Sequence, residues 1–226
     1  NRLLVFLMIA LFFLYHSETV IAQCPSGTTY TVTNTNDSGP GSFREAINCA
    51  NADAALDNII FGIPGSGPHI ITITSSILPV ITDNGVSISG GGEIVLDGIN
   101  FGNLQPGLEV RADQVSIQAI SFENWNPGIW VEGYDNIGIA NNSFFNCSTA
   151  IRLDPDITDL TNVNITSNNI DGNNITQANG ILFWAGTYSN VNIQNNTVQN
   201  ASYGILAWGF VATGVIDMTN IEIVGN

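Results

Sequence analysis

The 226-residue chain contains no lysine, and its four arginines stand against nineteen Asp and Glu residues, giving a formal net charge of −15. A chain so poor in cations lacks the groups that neutralise phosphates, so nucleic acid and anionic membrane surfaces are excluded as partners. Charged residues of both signs amount to only 10%. Polarity must therefore come from Asn, Ser, Thr and Gly, a balance that suits a secreted, β-rich protein. Histidine is scarce as well. With only His16 and His69, no Cys/His metal spacing exists, and His69 reads as a loop residue.

No apolar run is long enough to span a bilayer as a helix. The longest, LLVFLMIALFFLY after Arg2, fits the h-region of a secretory signal over residues 1–22, with cleavage after Ala22. Gln23 before Cys24 fits a lipoprotein signal poorly. The mature chain, residues 23–226, then carries 3 basic and 18 acidic residues and is expected to be extracellular without membrane insertion. The chain starts at Asn1 rather than Met and stops at IEIVGN in mid-coil, which reads as a fragment truncated at its C-terminus.

Cysteine is limited to Cys24, Cys49 and Cys147. Export permits a disulfide, and Cys24 with Cys49 would tie the mature N-terminus to the first helix, leaving Cys147 odd; the sequence leaves that pairing open.

What the chain does have is repetition. Residues 162–170 read NVNITSNNI and residues 190–198 read NVNIQNNTV, a recurrence at the spacing of one coil in a stacked β-structure. A V-x-I pair recurs at Val86/Ile88, Val115/Ile117, Ile137/Ile139, Val163/Ile165, Val191/Ile193 and Ile221/Ile223. Phe122, Phe144, Ile170 and Val198 follow four of these at a fixed distance. A second strand opens with a small residue and an aliphatic at Gly107-Leu108, Gly128-Ile129, Ala150-Ile151, Gly180-Ile181 and Gly204-Ile205. Alternating inward apolar positions then predict parallel strands stacked about 4.8 Å apart. Asn142, Asn168, Asn196 and Asn226 recur at the turn, where a left-handed backbone and an amide ladder between coils are expected, beginning only at Asn142 because Ile120 precedes it.

One helix is expected, over residues 42–54. Ser42 and Glu45 form a capping box, and Phe43, Ala46, Ile47 and Ala50 fall on one face. It should cover the open N-terminal end of the stack, with coils over about 70–226. The N-x-S/T triplets, such as Asn146-Cys147-Ser148 and Asn174-Ile175-Thr176, would be glycosylation sequons in a eukaryotic secreted protein, but Asn in turns beside Ser and Thr in strands is sufficient to explain them.

The segments YTVTNTNDSGPGSFREAINCANA, DNIIFGIPG and ITITSSILPVITDNGVSISGGG resemble the N-terminal signature of bacterial secreted proteins with a CSLREA-type or outer-membrane-repeat start. Phe43 stands where that family commonly has Leu. The resemblance implies an all-β, right-handed parallel β-helix of the pectate-lyase-like fold with one N-terminal capping helix, and an extracellular or cell-surface address. It implies no single activity.

A period of two on the strand after each small residue turns two columns outward: Glu109, Trp130, Arg152, Leu182, Leu206, and beside it Arg111, Glu132, Asp154, Trp184, Trp208. Three of the four tryptophans lie on this face. Exposed indoles flanked by carboxylates and arginines suit a polysaccharide or cell-surface glycan, so Trp130, Trp184, Trp208, Arg111, Arg152, Glu132 and Asp154 are the candidate binding residues; the bland alternative is tryptophans stacked as satellite core. The unequal segments 154–162, 184–190 and 208–220 are expected to form groove walls.

A catalytic alternative uses the same face. Glu132 and Asp154 on neighbouring coils could form a glycosidase pair or, with Asp156, hold Ca²⁺, and Arg152 or Arg111 could be the base of a lyase on an acidic polysaccharide. Against it, Glu132, Asp154, Arg111 and Arg152 could pair off as salt bridges. Neither Asp-Asp nor Gly-His-Gly, as polygalacturonases have, occurs. The balance favours a non-catalytic binding or adhesion protein without a required cofactor; a ligand-free structural stalk is the third reading.

Overall fold

The computed structural model describes residues 24, 27–101, 105–155, 159–209 and 216–226. The expected signal segment, residues 1–22, and Asp156 lie outside them.

Parallel strands cannot be joined by tight hairpins, so a chain of short strands punctuated by turns closes its hydrogen bonds by winding into successive coils. Each full coil contributes strands to three faces. The first face stacks eight parallel strands: Thr29–Val32, Asn58–Phe61, the start of Ser87–Asp97, the start of Ser116–Glu123, Ile137–Ala140, Leu160–Thr166, Gly186–Gln194 and Ile216–Val224. The second takes His69–Thr72, the ends of Ser87–Asp97 and Ser116–Glu123, and then Ser143–Phe145, Asn169–Asp171 and Thr197–Gln199. On the third lie Leu108–Val110, Ile129–Glu132, Thr149–Asp154, Asn179–Phe183 and Tyr203–Ala207. The fold is thus the parallel β-helix expected from the repeat. His69 begins a strand instead of sitting in a loop.

The register follows the repeat. Ile137, Val163, Val191 and Ile221 stack on one another, as do Leu108, Ile129, Ile151, Ile181 and Ile205. Most of these side chains are fully buried, and burial of each contributes roughly 1.5–3 kcal/mol. Phe122 and Phe144 stack with ring centres 5.1 Å apart. The small residue before the third face is steric: a Cβ on Gly128 would lie 2.7 Å from the Phe144 ring and 2.8 Å from the Ala150 carbonyl oxygen.

At the corner between the first two faces, Asn142, Asn168, Asn196 and Asn226 form a continuous ladder. The Asn168 Oδ1 accepts from Asn142 N at 3.0 Å and Asn142 Nδ2 at 3.2 Å; its own N and Nδ2 donate to Asn196 Oδ1, both at 2.9 Å. Each Nδ2 also donates to a backbone carbonyl of the preceding coil, as Asn168 does to Ile139. Ile120, one coil earlier, donates its backbone N–H to Asn142 Oδ1. The left-handed residue, however, is the one before each rung: Asn141, Ser167 and Asn195 have φ of 56°, 57° and 56°. A second, exposed column runs through Asn136, Asn162, Asn190 and Asn220, also by side-chain hydrogen bonds.

The helix spans Phe43–Ala50 and is shorter than the expected 42–54. Asn51 ends it by turning its amide to the Val80 carbonyl and the Thr82 N–H of a neighbouring segment. Ser42 accepts from Glu45 N as an N-cap, but the Glu45 carboxylate reaches back to Gly41 N rather than to Ser42. Phe43, Ala46, Ile47 and Ala50 are all buried. The stack begins before residue 70 and before the helix, since Thr29–Val32 pairs with Asn58–Phe61. The helix is therefore an excursion between the first two strands, joined by a Cys24–Cys49 disulfide. Cys147 is a buried free thiol, pushed up to about 12 by burial.

Candidate functional site

The third face carries the two predicted columns. Glu109 is in register with Trp130, Trp130 with Arg152, Arg152 with Leu182, and Leu182 with Leu206. Asp154 is in register with Glu132, and the backbone N–H groups of Trp184 and Trp208 bond to Leu153 and Phe183, continuing that column up the stack.

The charges at the N-terminal end of the face pair with one another. Arg111 Nε lies 2.6 Å from Glu109 Oε1, and its Nη2 lies 2.7 Å from Glu132 Oε2. Arg152 Nη2 lies 2.6 Å from Asp154 Oδ2. The Arg152 guanidinium is also sandwiched, 4.7 Å from the Trp130 ring centre and 4.4 Å from that of Trp184. Such stacking adds roughly 0.5–2 kcal/mol per contact, more as water is excluded. The salt-bridge alternative weighed from the sequence thus describes these residues, and Glu132 and Asp154 each face a guanidinium.

The C-terminal end is different in kind. Leu182 and Leu206 form the floor of a groove of about 250 Å³, Trp184 and Trp208 line one part of it, and Gln177, Asn179 and Tyr203 line the rest. Trp208 is 47% exposed, whereas Trp184 is half-buried and Leu182 buried. The backbone at Trp184 is fixed from within: the buried Tyr188 hydroxyl lies 2.6 Å from the Trp184 carbonyl oxygen and 2.9 Å from that of Leu153. Burial pushes the Tyr188 phenol well above its ordinary value, so it remains a donor.

Trp125, the fourth tryptophan, is core, and its Nε1 donates to Leu96 at 2.8 Å. The expected wall 184–190 is no loop. Gly186–Gln194 is one strand, and Leu160, Tyr188 and Met218 lie in register as an extension of the first face, with Leu160 and Tyr188 buried. The insertions thus add core, which the gap count alone could not distinguish from loops. Parts of the other two expected walls, residues 156–158 and 210–215, lie outside the described residues, and with Asp156 among them the Asp154/Asp156 cation pair does too. Among the described residues no cluster of three or more His, Cys, Asp or Glu is arranged to hold a metal ion.

Tyr203 and Asn179 were missed as groove residues. Both immediately precede the small-residue marker, at Tyr203-Gly204 and Asn179-Gly180, and they stand in register with each other. Extending the aligned columns by one residue upstream would have found them.

No curated protein sequence matches the chain significantly. A family model described as the right handed beta helix region matches residues 58–226, the stack from its second strand, Asn58–Phe61, onward, and the chain belongs to that family.

Proposed function

We propose that this is an extracellular or cell-surface β-helix that binds polysaccharide, without turning it over, in the groove floored by Leu182 and Leu206. The observation that carries the reading is the pair Trp184 and Trp208, with Tyr203 across from them, around an apolar floor and beside the amides of Asn179 and Gln177. Sugar rings present apolar faces for indole and phenol rings and a rim of hydroxyls for amides. The secretory pattern of residues 1–22 and the CSLREA-like N-terminal motif support the extracellular address. A glycosidase requires one carboxyl held protonated and a second available to the sugar or to water. Glu132 and Asp154, each bonded to an arginine, are poorly suited to those roles.

The test combines binding and turnover. The purified chain is incubated with a panel of polysaccharides, with and without Ca²⁺; retention is measured for the wild type and for Trp184→Ala with Trp208→Ala, and soluble products are sought by mass spectrometry. Retention by the wild type, its loss in the double variant and absence of products are expected. Unsaturated or hydrolysed oligosaccharides would make the protein an enzyme and direct attention to Glu132, Asp154 and Arg152.

A further inference from the structure

An anionic sugar polymer is recognised by cations able to exchange their partners for a carboxylate or sulfate, above all by bidentate guanidinium groups. The third face offers two guanidinium groups, and both are committed. Arg111 bridges Glu109 and Glu132, while Arg152 is bonded to Asp154 and stacked between two indoles. Arg44, the other arginine among the described residues, is tied to Asp37 and to the carbonyls of Ser76 and Ile77, away from this face. The chain has no lysine and a formal charge of −15, so its long-range field repels a polyanion.

The groove itself is lined by uncharged side chains: Leu182 and Leu206, the rings of Trp184, Trp208 and Tyr203, and the amides of Gln177 and Asn179. Asn179 donates from Nδ2 to Thr149 Oγ1 at 3.3 Å, and its Oδ1 is buried. A side-chain amide both donates and accepts, and so does a sugar hydroxyl, whereas an ionised carboxylate only accepts.

Resting on the polysaccharide-binding reading above, we infer that the polymer held in the groove is uncharged, with the Gln177 and Asn179 amides bonding to sugar hydroxyls and Trp184 and Trp208 stacking on sugar rings. Arg152 is a positioning residue. Its guanidinium fixes the Trp184 ring from below, and Asp154 balances its charge so that it adds no attraction for anions.

The test is affinity electrophoresis of the full chain through gels holding soluble β-glucan, xylan or amylose on one side and polygalacturonate or alginate on the other, at low and high salt. Retardation by at least one neutral polymer is expected, changing by less than about twofold with salt and falling about tenfold or more in Trp208→Ala, an exposed position whose melting temperature should not move. Arg152→Ala should weaken the same binding equally at both salt concentrations and shift tryptophan emission to the red. Retardation by a polyuronate that fades with salt overturns the inference while leaving the groove as a polysaccharide site. Neutral binding that survives Trp208→Ala overturns the placement. No retardation by any polymer overturns the binding function itself, and this inference with it.

Discussion

The asparagine corner and the tryptophan face are made by the same backbone repeat, yet they use it in opposite ways. At the corner each coil from Asn142 onward supplies the same residue, and every rung bonds to the next. On the third face each coil supplies the same backbone position but a different side chain: Glu109, Trp130, Arg152, Leu182, Leu206. The contrast teaches where constraint lies in a solenoid. A buried amide fixes the turn and leaves no freedom of residue type, because any replacement strands polar groups on two coils. An outward strand position is fixed only in direction, so it is free to carry recognition.

This contrast can be broken at either side. The largest effect is expected at the corner. Asn168→Ala removes an amide that satisfies Asn142, Asn196 and the Ile139 carbonyl, and should cost about 3–5 kcal/mol in denaturant unfolding. Glycan binding by the variant, once folded, should be unchanged. On the face the dissociation should reverse. Trp184→Ala with Trp208→Ala should weaken polysaccharide binding by about a hundredfold, or roughly 3 kcal/mol. Trp208→Ala alone should change stability by less than about 0.5 kcal/mol. If the corner variant lost binding at unchanged stability, the division of labour would be wrong.

Arg152→Ala lies between these cases, since it unstacks two indoles and leaves the Asp154 carboxylate without its guanidinium. It should cost about 2–3 kcal/mol and also lower binding, a mixed result that neither the corner nor Trp208 should give. A loss confined to binding would mean that Arg152 meets the ligand directly.

The smallest effect depends on pH. Asp57 is 1% exposed, neither of its carboxyl oxygens has a hydrogen-bond partner among the described residues, and burial, aided by Asp53 and Asp83, raises it to about 6. Its unfolded value is near 3.8. The folded state therefore holds the proton more tightly, and its ionisation destabilises the fold fully above pH 6, progressively less down to about pH 4, and not at all below. Asp57→Asn should stabilise the protein by about 2 kcal/mol at pH 7, with the gain vanishing near pH 4. A gain that stayed constant across that range would mean that the carboxylate's charge is not what matters there. Asp37 runs the other way: its hydrogen bonds to Arg44, Thr74 and Ser75 lower it, so its stabilising contribution is lost as pH falls through the acid range.

Much of this was legible in the sequence for a physical reason. An inward column must be apolar in every coil, and the ladder must be Asn in every coil from Asn142 onward, so both write themselves into the chain at coil spacing. The outward columns followed from strand alternation alone. What the chain could not display is how outward side chains choose partners. Arg111 and Arg152 each bond a residue two positions away on their own strand segment, a choice made by rotamers. The strand before the helix, Thr29–Val32, was hidden because its partner, Asn58–Phe61, comes only after the helix has intervened. The extension through Leu160 and Tyr188 was hidden because an insertion that becomes core has the same length as one that becomes loop.

The ladder also sets a quantum of change for the molecule. Asn168 and Asn196 are 28 residues apart, and neighbouring rungs elsewhere are 26 or 30 apart, yet every rung meets the next. Residues can be gained or lost inside a coil only outside the corner, whereas lengthening or shortening the rod must proceed by whole coils. Excising one complete coil would rejoin Asn to Asn and displace whatever the third face carries by one strand spacing, about 4.8 Å. Recognition could thus be moved along the rod in discrete steps, as a bead is moved on a ruled wire.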